Sequence, residues 1–441
     1  MLSFLGVTKY MEVSHYLSKE EPAPPSPFIQ ESLVDLLCKD WGKNDSVVVF
    51  LTEDARRKNW LSKEEYEEAN FDKGLKERLT SKLEPRGVRV LEVQIPEGRN
   101  EKELWEIFDK IVGVIENRDT IILDITHGYR SLPLLILIAL NYACILKNAK
   151  IEKIVYGALE AAGSPEELRK LPPEERLVPI FDLTPFIDLF GWAIAVSKFL
   201  DTGDAEPLKQ LAYEKLKPLL ARTRGKLGGS LRVLIENLSE LSLNILTCRA
   251  PHLRDSVSRI KSILPEAKKE LEQVKEVRPL VPLFRKIEEK INIFDLSNDI
   301  SIGLSAVKWC IKHGLIQQGL TVLRELIVNY VIHEILEREM IAPINDPKVR
   351  KFAEDLLNTS SRLVINKVMT TGKIPKDLAK LWGEIRQYRN DINHAGWRPD
   401  SRKSLDFKNK LQEFLKRFEH FIEKNFGMQE NKNPSFCHHT F

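Results

Sequence analysis

Residues 120–133 read TIILDITHGYRSLP, and this stretch decides the fold class. Thr120 to Ile125 is a short apolar run of strand-forming residues with a carboxylate, Asp124, near its end. Thr126, His127, Gly128 and Arg130 then turn the chain toward a helix beginning near Leu132. Pro133 falls in its first turn, where a missing N–H does no harm. A strand passing through a polar turn into a helix is the building unit of open α/β sheets, which place their ligands at such strand ends. The free N–H groups at the helix start suit a phosphate. A blander reading stays open, in which Asp124 and Thr126 only cap the helix.

Working outward, the same alternation recurs. Strands are expected at Leu2–Val7, Ser46–Thr52 (SVVVFLT), Val88–Ile95 and Ile151–Gly157. Between them lie helical patterns at Ser26–Cys38, Ser62–Leu83 and Glu101–Glu116, the first with Ser26 as N-cap and Pro27 at the first helical position. Strands alternating with helices predict a parallel-rich, Rossmann-like sheet covered on both faces. Gly6, Thr8 and Lys9 end the first strand, and Thr52 ends the second. These loops collect hydroxyls, a glycine and cations, a set suited to an anionic nucleotide. No GxGxxG or GxxxxGK[ST] pattern is present, which disfavours a nicotinamide cofactor or ATP hydrolysis.

Residues 163–180 are rich in proline and charge and read as a surface connection leaving the sheet. From Pro185 onward apolar residues recur every three or four positions, so the rest is all-helical. The expected division is a Rossmann-like sheet domain at 1–180, a helical linker region at 181–300, a second helical domain at 301–426 and a disordered tail at 427–441. The chain has 441 residues, 43% hydrophobic and 30% charged, with a formal charge of +3. That is a globular composition whose small net charge neither requires nor excludes nucleic acid. Five dispersed cysteines without a CxxC pair point to reduced thiols and a cytoplasmic setting. The greasiest stretch, Leu132–Leu146, is broken by Asn141 and reads as a buried helix, not a membrane span.

The second cluster of chemistry lies in GEIRQYRNDINHAGW, residues 383–397. Its helix is expected to run from Asp377 to Gly396, placing His394 in the last turn, where the helix dipole favours an imidazolium. Arg389 can fork onto phosphate oxygens, and Asn390 adds a polar group. Cleaving RNA by attack of its own 2′-hydroxyl needs only proton movement and charge stabilisation, so this set requires no metal. Five residues of regular helix rotate the two side chains roughly 140° apart, which favours a site assembled from two copies. The bare spacing is unspecific, and a helix cap plus a surface charge explains it equally well. Glu325 is a further candidate for this site, and Cys437-His438-His439 in the tail reads as incidental.

Taken in order, FLGVTKY (4–10), FLTEDA (50–55), IPEGRNEKELWEIF (95–108), DITHGYRSLP (124–133), YGALEA (156–161) and DLTPFIDLFGWAIAVSKFLDTGDA (182–205) resemble the CRISPR-associated CARF–HEPN ribonucleases of type III systems. The resemblance returns at GLIQQGLTVLRELI (314–327) and RQYRNDINHAGW (386–397). It implies a CARF sensor domain that binds a cyclic oligoadenylate, often the tetra-adenylate, across a homodimer. It also implies a HEPN domain that cuts single-stranded RNA once activated, with no cofactor or metal and no membrane. By position, Arg389 and His394 match the HEPN motif, with Asn390 in its polar slot. Thr126, His127, Gly128 and Arg130 match the sensor loop after the fourth strand, and Gly6 to Lys9 the loop after the first. A sensor domain that also cleaves its ligand, and a regulator without catalysis, remain alternatives.

Overall fold

The run SVVVFL is buried along nearly its whole length, because the strand it forms is covered on both faces. In the computed structural model, which describes residues 1–127, 132–225, 227–273, 280–336, 346–365, 374–397, 399 and 401–430, the chain divides into two units, Met1–Ile187 and Asp188–Phe441. The first holds strands β1 (Leu2–Leu5), β2 (Ser14–Tyr16), β3 (Ser46–Leu51), β4 (Arg89–Gln94), β5 (Thr120–Asp124), β6 (Lys150–Gly157) and β7 (Leu177–Asp182). Its helices are α1 (Ile29–Leu37), α2 (Glu53–Ala55), α3 (Leu75–Leu83), α4 (Glu101–Gly113), α5 (Leu132–Lys147) and α6 (Pro165–Leu168).

The strands form one sheet in the order β2-β7-β6-β5-β1-β3-β4, parallel throughout except for β6 against β7. Alternation along each strand divides its side chains between two cores. Leu5, Val47, Val49 and Leu51 meet Leu33 of α1 and Leu75, Leu79 and Leu83 of α3. Leu2, Phe4, Val48 and Phe50 meet Ile107 and Ile111 of α4 and Ile136 and Leu140 of α5 on the other face. Each such apolar side chain contributes about 1.5–3 kcal/mol when fully buried, so a one-residue slip that swapped faces would cost several contacts at once. After β2, at the far edge, the chain proceeds to β3 and β4 on one side of β1 and returns to β5 and β6 on the other. The strand order therefore reverses between β1 and β5, which opens a crevice beyond Leu5 and Asp124.

The parallel-rich sheet followed by helices agrees with the sequence pattern, with local corrections. Residues 163–180 are not only a surface connection, because β7 begins at Leu177 and pairs with β2 and β6. Pro179 hid this strand. It offers no N–H, but its carbonyl accepts from Ala158 N–H (2.9 Å). The helix expected at Ser62–Leu83 is confined to α3. The residues before it form turns instead, closed by Tyr66 N–H on Ser62 O (2.9 Å), Ala69 N–H on Tyr66 O (2.9 Å) and Asn70 N–H on Lys58 O (2.8 Å). Helix α1 starts two residues later than expected, at Ile29, while the Ser26 hydroxyl accepts from Phe28 N–H (2.9 Å) and donates to Glu31 (2.5 Å). Helix α5 is buried on one face only. Leu134, Ile138, Tyr142 and Ile145 are 67%, 53%, 51% and 84% exposed.

Helix α7 (Thr184–Thr202) leads from the first unit into the second. There follow α8 (Glu206–Arg222), α9 (Gly229–Leu246), α10 (Ala250–Gln273), α11 (Val281–Ile291), α12 (Asp299–Lys312), α13 (Ile316–Val331), α14 (Pro347–Ile365), α15 (Lys376–Asn393) and α16 (Ser404–Glu430). One apolar cluster runs from Trp192 to Ile422 and passes residue 300 without a break, with Trp309 and Trp382 fully buried in it. Helix α16 continues to Glu430, past the expected start of the tail. Among the described residues no helix is long and apolar enough to cross a membrane.

Candidate functional site

At the C-terminal ends of β1, β3 and β5 lies a cavity of 260 Å³. Its floor is apolar, from Phe4, Leu5, Phe50 and Ile95, and its rim carries Gly6, Thr8, Tyr10, Thr52, Thr126 and His127. Five expected ligand-binding residues therefore converge: Gly6, Thr8, Thr52, Thr126 and His127. Lys9 is exposed and is not among the described lining residues. Gly128 and Arg130 lie outside the described residues.

Buried polar side chains hold this rim from behind. Asn59, fully buried, donates through Nδ2 to the carbonyls of Gly6 (2.8 Å) and Thr8 (2.9 Å) and accepts from Asn70 (2.8 Å). It sits in a π-helical turn, Arg56–Trp60, a local irregularity often found at functional sites. The Gly6 N–H donates to the Tyr10 phenol (2.8 Å), and a Cβ at Gly6 would stand 2.7 Å from that oxygen, so the close approach requires glycine. Tyr10 stacks on His127 at 4.2 Å between ring centroids. Behind β5, the fully buried Asp124 accepts from Ser3 (2.7 Å), from Thr126 N–H (2.9 Å) and from the Thr126 hydroxyl (2.5 Å). The Thr126 hydroxyl in turn accepts from Gly157 N–H (2.8 Å), at a glycine whose Cβ would meet Ile29 at 2.2 Å. Asp124 and Thr126 thus fix the chain where it leaves β5.

Burial raises the Tyr10 phenol, partly offset by its hydrogen bonds with Gly6 and Thr8. Burial likewise holds His127 below the ordinary imidazole value, against the pull of Asp124. Among the described residues the rim therefore offers aromatic rings and hydroxyls. Sequence reading did not single out Tyr10 or Asn59. Tyr10 had a local signal, an aromatic four residues after Gly6. Asn59 had none, because the two carbonyls it holds lie more than fifty residues away.

In the helical unit, α15 stops at Asn393 and His394 is its C-cap, with its N–H bonded to Asn390 O (3.0 Å) and Asp391 O (3.1 Å). The expected end at Gly396 is corrected by Ala395 and Gly396, both left-handed at φ 52° and 73°, which break the helix. The regular-helix angle between Arg389 and His394 therefore no longer decides whether one copy suffices. His394 is exposed, while Arg389 and Asn390 are half-buried. The Arg389 Nε is buried without an acceptor, and among the described residues no carboxylate pairs with this guanidinium.

The end of α15 is clasped from one side. Asp391, 3% exposed, accepts from Arg402 N–H (2.9 Å), and the Arg402 guanidinium lies 4.3 Å over the Tyr388 ring. From α13, Gln317 reaches Asn393 (3.4 Å). Glu325 is instead committed to Arg350 (2.6 Å) and Arg324. Cys437, His438 and His439 lie outside the described residues.

Residues 1–161 match the family model described as CRISPR system endoribonuclease Csx1, CARF domain. The CRISPR-associated protein MJ1674 of Methanocaldococcus jannaschii is 26% identical over 301 residues, which cover 68% of this chain and 41% of the relative. The chain thus spans well under two thirds of the length of the curated relative it matches.

Proposed function

We propose, on the premise that residues 1–161 are a CARF domain of a CRISPR-associated ancillary protein, that this chain is a cyclic-oligoadenylate-activated endoribonuclease cutting single-stranded RNA in type III defence. The observation that carries the nuclease reading is the unpaired Arg389 guanidinium on the same helix end as the exposed His394. A buried donor without an acceptor is costly, by about 1–3 kcal/mol, unless a bound group supplies the acceptor. A phosphate oxygen does so, and in forked geometry.

In this mechanism the ribose 2′-oxygen attacks the adjacent phosphorus and loses its proton to a base. The bond from phosphorus to the 5′-oxygen breaks, and His394 gives that oxygen a proton. Arg389 neutralises the nonbridging oxygens as charge builds, and Asn390 donates a further hydrogen bond. The products carry a 2′,3′-cyclic phosphate and a 5′-hydroxyl, and no step needs a metal or another cofactor. In the CARF unit, the cavity rim supplies ring faces for adenine through Tyr10 and His127, and the Gly6–Thr8 loop lies against the ligand's backbone.

A homodimer is part of the reading. The exposed stripe of Leu134, Ile138, Tyr142 and Ile145 on α5 suits a second copy of the same helix. Helix α5 follows directly on the loop that begins at Thr126 and His127, so pairing along it would bring two such loops onto one two-fold symmetric ring. Ligand cleavage by the sensor itself is less favoured, because the Thr126 hydroxyl is already occupied by Asp124 and Gly157. The test is end analysis of RNA cleaved by the full chain with cyclic tetra-adenylate in a chelator. Cyclic phosphate ends are expected, and 5′-phosphate ends would overturn the mechanism.

A further inference from the structure

The turn between α9 and α10 carries a second arginine, Arg249. Cys248 there is left-handed (φ 56°), and the turn is closed by Cys248 N–H on Ile245 O (3.1 Å) and Arg249 N–H on Asn244 O (2.7 Å). Helix α13 joins this turn to the candidate site through adjacent residues. Gln318 donates to Leu246 O (3.4 Å) and Gln317 to Asn393 (3.4 Å). The half-buried Cys248 thiol is raised by burial and lowered in turn by Arg249, by Arg389 and by a hydrogen bond with Thr321. Leu246, at the start of this turn, and Asn393, at the end of α15, thus meet neighbouring residues in the first turn of α13.

Among the described residues several arginines of this unit have acidic partners. Arg254 pairs with Asp299, Arg259 with Glu240, Arg324 with Glu354, Arg350 with Glu325 and Arg417 with Glu384. Arg249 is exposed, and among the described residues neither it nor Arg389 meets a carboxylate. An exposed arginine with no carboxylate against it among the described residues is left able to meet a polyanion bound at the end of α15.

We propose that Arg249 is a second RNA-contacting residue, which holds the phosphate next to the one engaged by Arg389. This rests on the ribonuclease reading above and adds the direction in which the strand leaves the site, across the α9–α10 turn. A single-stranded backbone suits it better than an acidic protein surface, because Arg389 already needs a forked oxyanion acceptor and a phosphodiester chain offers one at every residue.

The test uses the full chain and a 2′-O-methyl oligoribonucleotide, which binds but cannot undergo attack by its own 2′-oxygen. Affinity is measured against salt for the wild type, Arg249→Gln and Arg249→Lys. Loss of one phosphate contact flattens the log–log salt dependence by about 0.7 for a single strand. Arg249→Gln is expected to show that change and a Kd weaker by roughly tenfold, with Arg249→Lys keeping the wild-type slope. On cleavable RNA the same variant should raise KM in proportion and leave kcat within about threefold, the signature of uniform binding. An unchanged slope and Kd in Arg249→Gln would overturn the proposal, because an arginine that only caps α9 leaves both untouched. The two readings separate cleanly. A wild type that binds the oligomer with Arg249-dependent slope but never cuts RNA loses the nuclease reading alone, and a wild type that cuts RNA with an Arg249-independent slope loses only this one.

Discussion

Behind the cavity of the sheet unit, Asn59, Asp124, Thr126 and Tyr10 all have hydrogen-bond partners, whereas at the end of α15 the Arg389 guanidinium has none among the described residues. The first arrangement is a finished scaffold. Its polar groups spend their hydrogen bonds on shaping a cavity, whose described lining is aromatic, apolar and hydroxyl-bearing. The second is held by the Asp391–Arg402 clasp yet leaves its own charge exposed to need. A reversible sensor works well with a rigid, satisfied pocket. A site that must stabilise charge developing in a transition state works better with a cation not already neutralised.

Substitutions can break or sharpen this contrast. The largest effect is expected in the helical unit. Arg389→Met should lower RNA cleavage by about a thousandfold or more while leaving the melting temperature unchanged or higher, since it removes an unsatisfied buried donor. Rate and melting curve measured on one preparation check this, and a variant that loses stability along with activity would mean that Arg389 is a structural residue. The sheet unit should behave in the opposite way. Asn59→Ala strands two carbonyls and an amide, so a loss of about 2–4 kcal/mol in denaturant stability is expected together with lost ligand binding. Normal stability after that change would remove the scaffold argument.

Acid should also weaken the sheet unit. Burial holds His15 at about 4, from an ordinary value of 6.5, with His127 adding to the effect. Between these values the unfolded chain binds more protons, so stability rises with pH across that window and is lost as pH falls from 6.5 to 4. The size is on the order of 3 kcal/mol, and His15→Asn should flatten the profile in a pH series of chemical melts. The smallest effect is expected for Tyr10→Phe. It removes the phenol's hydrogen bonds with Gly6 and Thr8 and keeps the ring stacked on His127, which predicts about 1 kcal/mol of stability and a several-fold weaker ligand by titration calorimetry.

The contrast also explains what the sequence disclosed. Five strands were legible because their apolar runs are long or β-branched and the periodicity is local, and His127 and Thr8 were legible because functional loops sit at strand ends. Strand β7 was concealed by Pro179 and its proline-rich approach. Asn59 could not be read, since its role depends on meeting Gly6 and Thr8 across the fold. At the second site, Arg389 and His394 were visible as a motif, but the lack of a partner for Arg389 is a property of the surrounding packing. Asp391 stood within the quoted motif, and only its contact with Arg402 gives it a role. The helix end was misjudged by three residues because Ala395, an ordinary helix former, adopts a left-handed conformation there.

The most direct measurement is cleavage of single-stranded RNA by the full chain, with and without cyclic tetra-adenylate and cyclic hexa-adenylate, for the wild type and His394→Ala. Cleavage by the wild type that rises at least tenfold with one of the rings and vanishes in His394→Ala is the predicted result. Equal cleavage by the two proteins with ligand present, or a wild type indifferent to both rings, would contradict the account.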